Sequence, residues 1–270
     1  MKISVVIPAY NEEEFLPRLL TALKNQSFSD NFEIVVADNN STDKTAEVAK
    51  SFGAKVVTEK QQGFAFAANA AFFAANGDIL VRSDSDSVPP PNWLQAVYDE
   101  FQKDPELIAI GGPIFPLESS GLKNYLYYPA AIAWMYLLRF FGQGYLFTNI
   151  AVRKDVFHEL KGFRTDVYGE DTDLCLRLTK KGKVRIFPTM YVYSSVRRMH
   201  SLGMKNFFTK YIIGNTIAKA RKKEVTLGLE VVRTVIPYNA EKVKGNPWIY
   251  VWLTPILLTL ILCICIIYLR

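Results

Sequence analysis

The 270-residue chain has only three cysteines: Cys175, Cys263 and Cys265. Two of them lie in an apolar tail, and the spacing matches neither a disulfide framework nor a cysteine-based metal cluster. No Gly-x-Gly-x-x-Gly follows the first hydrophobic run and no Gly-Lys-Ser/Thr loop occurs, which argues against dinucleotide and P-loop chemistry. Internal repeats and low-complexity linkers are also absent, so the length favours one α/β domain, alone or with an appendage.

Basic residues outnumber acidic residues, which gives the chain a net charge of +6 at pH 7. A basic balance is typical of proteins that contact nucleic acid, anionic lipid or phosphate-bearing substrates. The uncharged run from Trp248 to Tyr268 is long enough to cross a bilayer and has aromatic residues at both ends. A buried core helix is the alternative. A membrane span favours lipid and phosphate partners over nucleic acid.

The flanks of this run predict its orientation. The chain begins without a signal peptide, since Met1 and Lys2 lead directly into a short hydrophobic run. Only Arg270 follows the apolar run, whereas basic residues are frequent before it: Arg221, Lys222, Lys223, Arg233, Lys242 and Lys244. Excess Lys and Arg marks the cytoplasmic side. We therefore expect a single-pass protein of the cell membrane with a C-terminal anchor and a cytoplasmic main domain.

Strands and helices alternate over the first third of the chain. Short buried strands are predicted at 3–7, 33–37, 55–58 and 79–82, with Pro8 ending the first. This alternation predicts an α/β fold with a mostly parallel, Rossmann-like sheet flanked by helices. Polar turns at 9–12, 38–43 and 83–87 follow three of the strands. Ligands of such sheets bind outside the carboxyl ends of the strands.

The second half is less regular. Residues 125–138 form an apolar, aromatic run that is too short to span a membrane. We interpret it as a membrane-surface or acceptor-contacting helix, with Trp134 as a candidate contact and an ordinary core helix as the alternative. Apolar residues recur at helical spacing over 204–212 among lysines and arginines. This pattern predicts a basic amphipathic helix that lies on anionic lipid or packs on the domain.

Asp84 and Asp86 form the most specific candidate for a metal-binding pair in the sequence. They directly follow the fourth strand, so both carboxylates can reach one crevice. Hard oxygen ligands suit magnesium or manganese, which bridge to substrate phosphates and neutralise a departing diphosphate. A solvated turn is the alternative. Asp38, directly after the second strand, can accept a hydrogen bond from a base or ribose, or it caps the next helix.

Acidic residues begin a later helix at Glu170, Asp171 and Asp173. One carboxylate could deprotonate an acceptor hydroxyl as a general base, although acids also stabilise helix N-termini. Three acids in four residues exceed what capping needs. Asn69 is predicted to lie on a helix facing the crevice and to hydrogen-bond the donor, or to be a surface polar residue.

A basic cluster follows at Arg197, Arg198 and His200. The two arginines suit a diphosphate or a lipid phosphate. The histidine could be a third metal ligand. The alternative is a basic loop that faces acidic lipid.

Four motifs, in order, resemble the inverting family 2 glycosyltransferases of the GT-A fold. The opening 5–12 (Val-Val-Ile-Pro-Ala-Tyr-Asn-Glu) is similar to that family's first strand and donor-binding turn. The segment 38–43 is similar to the second turn, where the first aspartate holds the nucleobase. Ser83-Asp84-Ser85-Asp86 resembles the metal-binding Asp-x-Asp. The resemblance implies that seven residues bind the donor: Pro8, Ala9, Tyr10, Glu12, Asp38, Ser83 and Asp84.

The fourth motif is Gly162-Phe163 followed by 169–174, which resembles the acceptor half of the family. There the aspartate after Glu is the catalytic base, and this implies the base role for Asp171 with Glu170 as an acceptor contact. The resemblance further implies inversion by a single displacement, so no covalent nucleophile is needed. It covers about residues 3–200.

Two departures from the family pattern stand out. Asn39-Asn40 replaces the commoner Asp-Gly of the second turn. The Gln-x-x-Arg-Trp motif of processive members is absent, and the basic cluster at 197–200 stands in that region. Single addition is therefore expected rather than chain synthesis, and one predicted span cannot by itself form a polysaccharide channel.

The predicted organisation has four parts: a nucleotide-sugar donor-binding half at 1–110, an acceptor and catalytic half at 111–200, a basic membrane-proximal segment at 201–246 and a transmembrane anchor at 247–270. The predicted activity is metal-dependent sugar transfer to a lipid-linked or membrane-proximal acceptor at an anionic membrane surface. Two alternatives remain: a nucleotidyltransferase that makes nucleotide sugars, although its usual Gly-rich, Arg-containing loop is missing at 8–12, and an inactive nucleotide-sugar-binding subunit.

Overall fold

The computed structural model describes residues 1–117, 149–167, 169–195 and 197, together with 132–133, 135–137 and 139–140. The helices are α1 (Leu16–Lys24), α2 (Thr45–Ser51), α3 (Phe64–Ala74), α4 (Trp93–Lys103), α5 (Lys154–Glu159) and α6 (Glu170–Lys181). The strands are β1 (Ile3–Ala9), β2 (Phe32–Asp38), β3 (Lys55–Thr58), β4 (Ile79–Arg82), β5 (Ser87–Val88), β6 (Leu107–Gly111), β7 (Ile114–Pro116), β8 (Ile150–Arg153), β9 (Lys183–Ile186) and β10 (Val192–Ser194).

The main sheet has seven strands in the order β3-β2-β1-β4-β8-β6-β9. Strand β8 is antiparallel to both of its neighbours, and the other pairs are parallel. A second, three-stranded sheet has the order β5-β10-β7. The predicted α/β fold with a mostly parallel sheet between helices is therefore confirmed.

The central strands are buried on both faces, as their continuous apolar sequences require. Every residue of β1 and of β4 is buried. Alternate side chains of β1 enter opposite layers of the core: Val5 packs in the layer formed with α1 and α4, and Val6 in the layer formed with α3 and α6. Strand pairing thus holds the two helical layers around one sheet.

The prediction that Pro8 ends the first strand was wrong, because β1 continues to Ala9. The carbonyl of Val6 accepts from Ser83, on the β4 side, whereas that of Ala9 accepts from Asn39, on the β2 side. By this alternation Pro8 faces the β4 side, where β4 has already ended at Arg82. The missing amide donor of proline therefore disrupts no strand pairing.

Several predictions concern residues outside the described part. The amphipathic segment 201–246 and the anchor 247–270 lie there entirely. Among the described residues, no helix has the length and apolar character needed to cross a bilayer. Of the run 125–138, the described residues Ile132, Ala133 and Met135 are buried, and Met135 packs in the core layer of α3 and α6. Tyr136 of the same run is 39% exposed, and the interpretation of 125–138 as a membrane-surface or acceptor-contacting helix stays a prediction.

Candidate active site

The first three polar turns lie at one edge of the main sheet. Parallel pairing places Ala9 opposite Asp38 and Val6 opposite Arg82, so β1, β2 and β4 all end there. The turns after β1 and β2 are joined directly. Asn11 adopts a left-handed φ of +54° and its Oδ1 accepts from the Thr42 amide at 2.8 Å. As the sequence pattern predicts, the three polar turns lie at the carboxyl ends of strands, at one edge of the sheet.

Asp38 provides a buried acceptor at this edge. It is 7% exposed, and its Oδ1 has no hydrogen-bond partner among the described residues. Such an orphaned atom is costly to bury unless a ligand supplies a donor. Of the other residues predicted to bind the donor, Pro8, Ala9 and Ser83 are buried and Tyr10 is half-buried; their contacts with a donor stay predictions.

The departure at Asn39-Asn40 has a structural account. The Asn39 amide donates to the carbonyls of Glu59 and Gln61 at 3.0 and 2.7 Å, and its Oδ1 accepts from the Gly63 amide at 3.0 Å. It therefore ties the second turn to the start of α3. Asn40 has a φ of +59°, a left-handed conformation that asparagine tolerates better than most residues.

Asp84 and Asp86 differ in their surroundings. The Asp84 side chain is 28% exposed and accepts from Arg82 Nη2 at 3.1 Å. Asp86 is 8% exposed, and its Oδ1 accepts from Ser194 Oγ at 3.2 Å. Arg197 Nε lies 3.2 Å from Asp86 Oδ2, an ion-pair contact without hydrogen-bond geometry. Asp84 is thus the more accessible carboxylate.

Arg82 is the site residue that the sequence analysis missed. This last residue of β4 is 2% exposed, and its Nη1 donates to Asp171 Oδ1 while its Nη2 donates to Asp84. Its guanidinium carbon lies 4.1 Å from the Phe64 ring centroid and 5.8 Å from that of Phe163. One feature of the sequence could have identified it: a charged residue at the end of an apolar strand, just before the Asp-x-Asp.

The acids that begin α6 separate into two groups. Asp173 pairs with Arg177 at 2.7 Å within the helix. Asp171 instead contacts Arg82 and faces the Asp84 side of the site. Burial raises the pKa of Asp171, and the guanidinium of Arg82 opposes that rise. Burial, together with the charge of Asp171, raises the pKa of Glu170 to about 7.

Arg197 is buried rather than exposed to a lipid surface. Its side chain is 4% exposed, its Nη2 donates to Glu12 Oε1, and its guanidinium carbon lies 4.0 Å from the Phe15 ring centroid. With the Asp86 contact, this arginine links the first turn to the Asp-x-Asp turn. Two carboxylates, those of Glu12 and Asp86, contact the guanidinium here. The phosphate contact of Arg197 stays a prediction.

Asn69 was predicted to hydrogen-bond the nucleotide-sugar donor, but its side chain bonds to the protein backbone instead. Its Nδ2 donates to the Phe163 carbonyl at 2.8 Å, and its Oδ1 accepts from the Phe163 amide at 2.9 Å. Both ends of the amide are used on this backbone segment. Asn69 therefore positions the loop that carries Phe163, whose ring faces Arg82. Trp134, Arg198 and His200 lie outside the described residues.

The carboxylate oxygens of Asp84 and Asp86 are of the kind that bind a hard divalent cation. Within the described part of the chain, no three His, Cys, Asp or Glu side chains form a metal-binding group. The two carboxylates of Asp84 and Asp86 belong to one short turn at the ligand-binding edge, and Asp84 keeps part of its surface open. Magnesium and manganese accept such incomplete carboxylate sets, because water and substrate phosphates complete their coordination.

The sequence is similar to those of known proteins. A Bacillus subtilis protein, probable glycosyltransferase YdaM, is 27% identical over 211 residues, 69% of this chain and 49% of its own length. A dolichol-phosphate mannosyltransferase of Pyrococcus furiosus is 35% identical over 116 residues, 41% of this chain and 33% of its own. The chain thus spans about half of the first relative and a third of the second.

The fold also matches a solved structure, that of mannosyltransferase PcManGT from Pyrobaculum calidifontis in complex with GDP-Man and Mn²⁺. The TM-score is 0.57 at 22% identity, over 78% of this chain and 64% of that one. The family model for glycosyl transferase family 2 matches residues 4–168, more than half of the sequence. This chain therefore belongs to glycosyl transferase family 2.

Proposed function

We propose that the protein transfers one sugar, with inversion, from a nucleotide-diphosphate sugar to a lipid-linked or membrane-proximal hydroxyl or phosphate acceptor, using a divalent metal ion. The observation that supports this most directly is the meeting of Asp84 and Asp171 on one buried arginine. One of these carboxylates could bind a metal ion and the other could act as a general base, and they come from separate parts of the chain. Their proximity is what a single displacement requires.

Asp84 and Asp86 are the residues that would hold the metal. When bound, manganese or magnesium neutralises charge on the departing diphosphate. Asp38 would accept a donor N–H from the nucleobase, since its Oδ1 is buried and has no partner among the described residues. The donor would then lie along the carboxyl edge of β1, β2 and β4.

Asp171 would act as the general base. The acceptor oxygen forms a bond to the anomeric carbon while the bond from that carbon to the diphosphate oxygen breaks. When the acceptor is a hydroxyl, its proton moves to Asp171, and the nucleoside diphosphate leaves. Glu170, with a pKa raised to about 7, lies beside the base and would contact the acceptor.

The membrane part of the proposal depends on sequence and on one relative. The apolar run 248–268 and the basic segment before it predict attachment to an anionic cytoplasmic leaflet. The relative from Pyrococcus furiosus is named for a dolichol-phosphate acceptor. A polyprenyl phosphate is therefore the first acceptor class to test.

The test uses the purified full chain with UDP-glucose, UDP-N-acetylglucosamine and GDP-mannose, with and without Mn²⁺, and vesicles that contain a polyprenyl phosphate. We expect metal-dependent transfer from one donor. Asp86→Ala should abolish metal-dependent donor binding. With a hydroxyl acceptor such as a lipid-linked sugar, Asp171→Asn should keep donor affinity but lower turnover by roughly 10²-fold or more.

Two results would contradict the proposal. Unchanged manganese dependence in Asp86→Ala would remove that residue from the metal site. Near-normal turnover in Asp171→Asn would remove the base assignment. Incorporation of a nucleotide into a sugar phosphate, rather than transfer of the sugar, would favour the nucleotidyltransferase alternative.

A further inference from the structure

We propose that Arg82 is a positioning residue that holds the base Asp171 and the metal-site acid Asp84 at a defined separation. The inference depends on the proposed function, because it concerns the same reaction. Arg82 uses a separate terminal nitrogen for each acid, Nη1 for Asp171 and Nη2 for Asp84. The base is thereby attached to the end of β4, the strand that leads into the Asp-x-Asp turn.

The guanidinium has little freedom to move. Arg82 is 2% exposed and Phe64 and Phe163 lie against it, with centroids 4.1 and 5.8 Å away. The Phe163 loop is in turn bonded to Asn69 at both backbone groups. A rigid planar group between aromatic rings can orient a carboxylate more closely than a flexible side chain.

Stability alone does not account for an arginine here. Its Nε is buried without a hydrogen-bond partner among the described residues, which adds a desolvation cost. Buried ion pairs contribute little net stability, since desolvation offsets most of the attraction. What the arginine does supply is a fixed distance between two acids, and displacement of a catalytic group by about 1 Å can cost roughly 10²-fold in rate.

A lysine substitution at Arg82 distinguishes the positioning role from an effect of positive charge alone. Arg82→Lys keeps a buried cation but replaces the planar fork by one ammonium nitrogen, which cannot hold two carboxylates at the separation that two different guanidinium nitrogens set. Arg153→Lys is the matched control, because Arg153 lies opposite Ile79 at the other end of β4 and stacks on Phe101 at 5.3 Å. It donates to the carbonyls of Leu107 and Pro105, away from both acids.

The experiment measures hydrolysis of the bound donor, in which water replaces the acceptor, so the acceptor need not be known. The full chain with Mn²⁺ and the donor sugar that binds is assayed for release of nucleoside diphosphate, and donor affinity is measured separately by calorimetry. We expect Arg82→Lys to lower turnover by roughly 10²-fold, with a donor dissociation constant within about threefold of wild type. Arg153→Lys should match wild type in both.

The outcomes distinguish the two proposals. If Asp171→Asn is inactive but Arg82→Lys turns over within about threefold of wild type, the positioning role is wrong and the base assignment stands. If Arg82→Lys loses turnover and donor affinity in parallel, Arg82 acts on donor binding and the positioning role is equally wrong. If Asp171→Asn is as active as wild type, or if wild type releases no nucleotide either with water or with the acceptor vesicles, the proposed function fails first.

Discussion

Arg197 Nε lies 3.2 Å from Asp86 Oδ2, and the same guanidinium donates to Glu12. The two acids belong to different turns at the ligand-binding edge, so one cation near the end of the described chain joins both. In the sequence, Arg197 precedes the segment 201–246 that is predicted to be membrane-proximal. The consequences for stability can be measured.

Replacement of Arg197 by methionine should destabilise the protein strongly. Glu12 and Asp86 would keep their burial, at 5% and 8% exposure, and lose this cation. Removing one partner of a buried ion pair typically costs 3–5 kcal/mol, so urea unfolding should show a loss of about that size. The control is Arg164→Met, since the Arg164–Asp166 pair has side chains 50% and 62% exposed and its loss should change stability little. Equal losses in both variants would contradict the burial argument.

Asp38→Ala should weaken nucleotide binding. A ligand N–H that satisfies the orphaned Oδ1 contributes roughly 1–3 kcal/mol, so affinity for the preferred nucleoside diphosphate should fall about tenfold or more. Calorimetric titration with UDP and GDP measures this. Asp78→Ala, at the opposite end of β4 in an exposed position, removes the same charge and should leave binding unchanged. Unaltered affinity in Asp38→Ala would show that the nucleobase lies elsewhere.

Glu170 should make the metal-free protein less stable as pH rises. Its pKa is raised from 4.5 to about 7, so the folded state holds the proton more tightly than the unfolded chain. This contribution is complete below about pH 4.5 and is lost as pH increases through about 7, with an upper bound of about 3 kcal/mol.

The measurement for Glu170 is urea unfolding of wild type and Glu170→Gln between pH 5 and pH 8. Glutamine keeps the shape without a titrating proton, so its stability relative to wild type should increase with pH. Glu159→Gln is the control, because Glu159 has a side chain 59% exposed in its ion pair with Lys181. A constant difference between wild type and Glu170→Gln across this range would exclude a raised pKa.

Gly162→Ala should cost more stability than Gly53→Ala, although both glycines have left-handed φ angles, +69° and +81°. An added Cβ at Gly162 would lie 2.4 Å from Asn69 Oδ1, whereas at Gly53 it would meet no atom within 4 Å. Strain alone predicts about 1–2 kcal/mol at Gly53. Disruption of the Asn69–Phe163 pair should add roughly 1–3 kcal/mol at Gly162. Thermal unfolding checks both, and equal losses would indicate that backbone strain alone acts.

Local patterns predicted the parts of the fold that depend on local chemistry. Strands β3 and β4 have the expected bounds, and the helix beginning at Glu170 is present. The insertion of β8 between β4 and β6 was not predictable in the same way, since four residues, Ile150–Arg153, carry no signal for an antiparallel partner. That placement comes from tertiary packing, which overrides local propensity.

The site was predicted unevenly for the same reason. The acids Asp38, Asp84 and Asp171 follow strand ends or begin a helix, so their sequence neighbours reveal them. Arg82 and Asp171 are 89 positions apart, and only the folded sheet brings them together. Asn69 was assigned to a donor because its helix was expected to face the crevice; its bonds to the Phe163 backbone depend on a loop whose position sequence does not give.

The bonds between the first two turns bear on how a donor is received. Besides the Asn11–Thr42 contact, the Glu12 amide donates to Thr45 Oγ1 at 2.8 Å, and the Lys44 amide donates to Glu13 Oε2 at 2.9 Å. This part of the sheet edge is therefore organised before any ligand arrives. A preformed surface loses little conformational entropy on association, so more of the free energy of contact remains available as affinity.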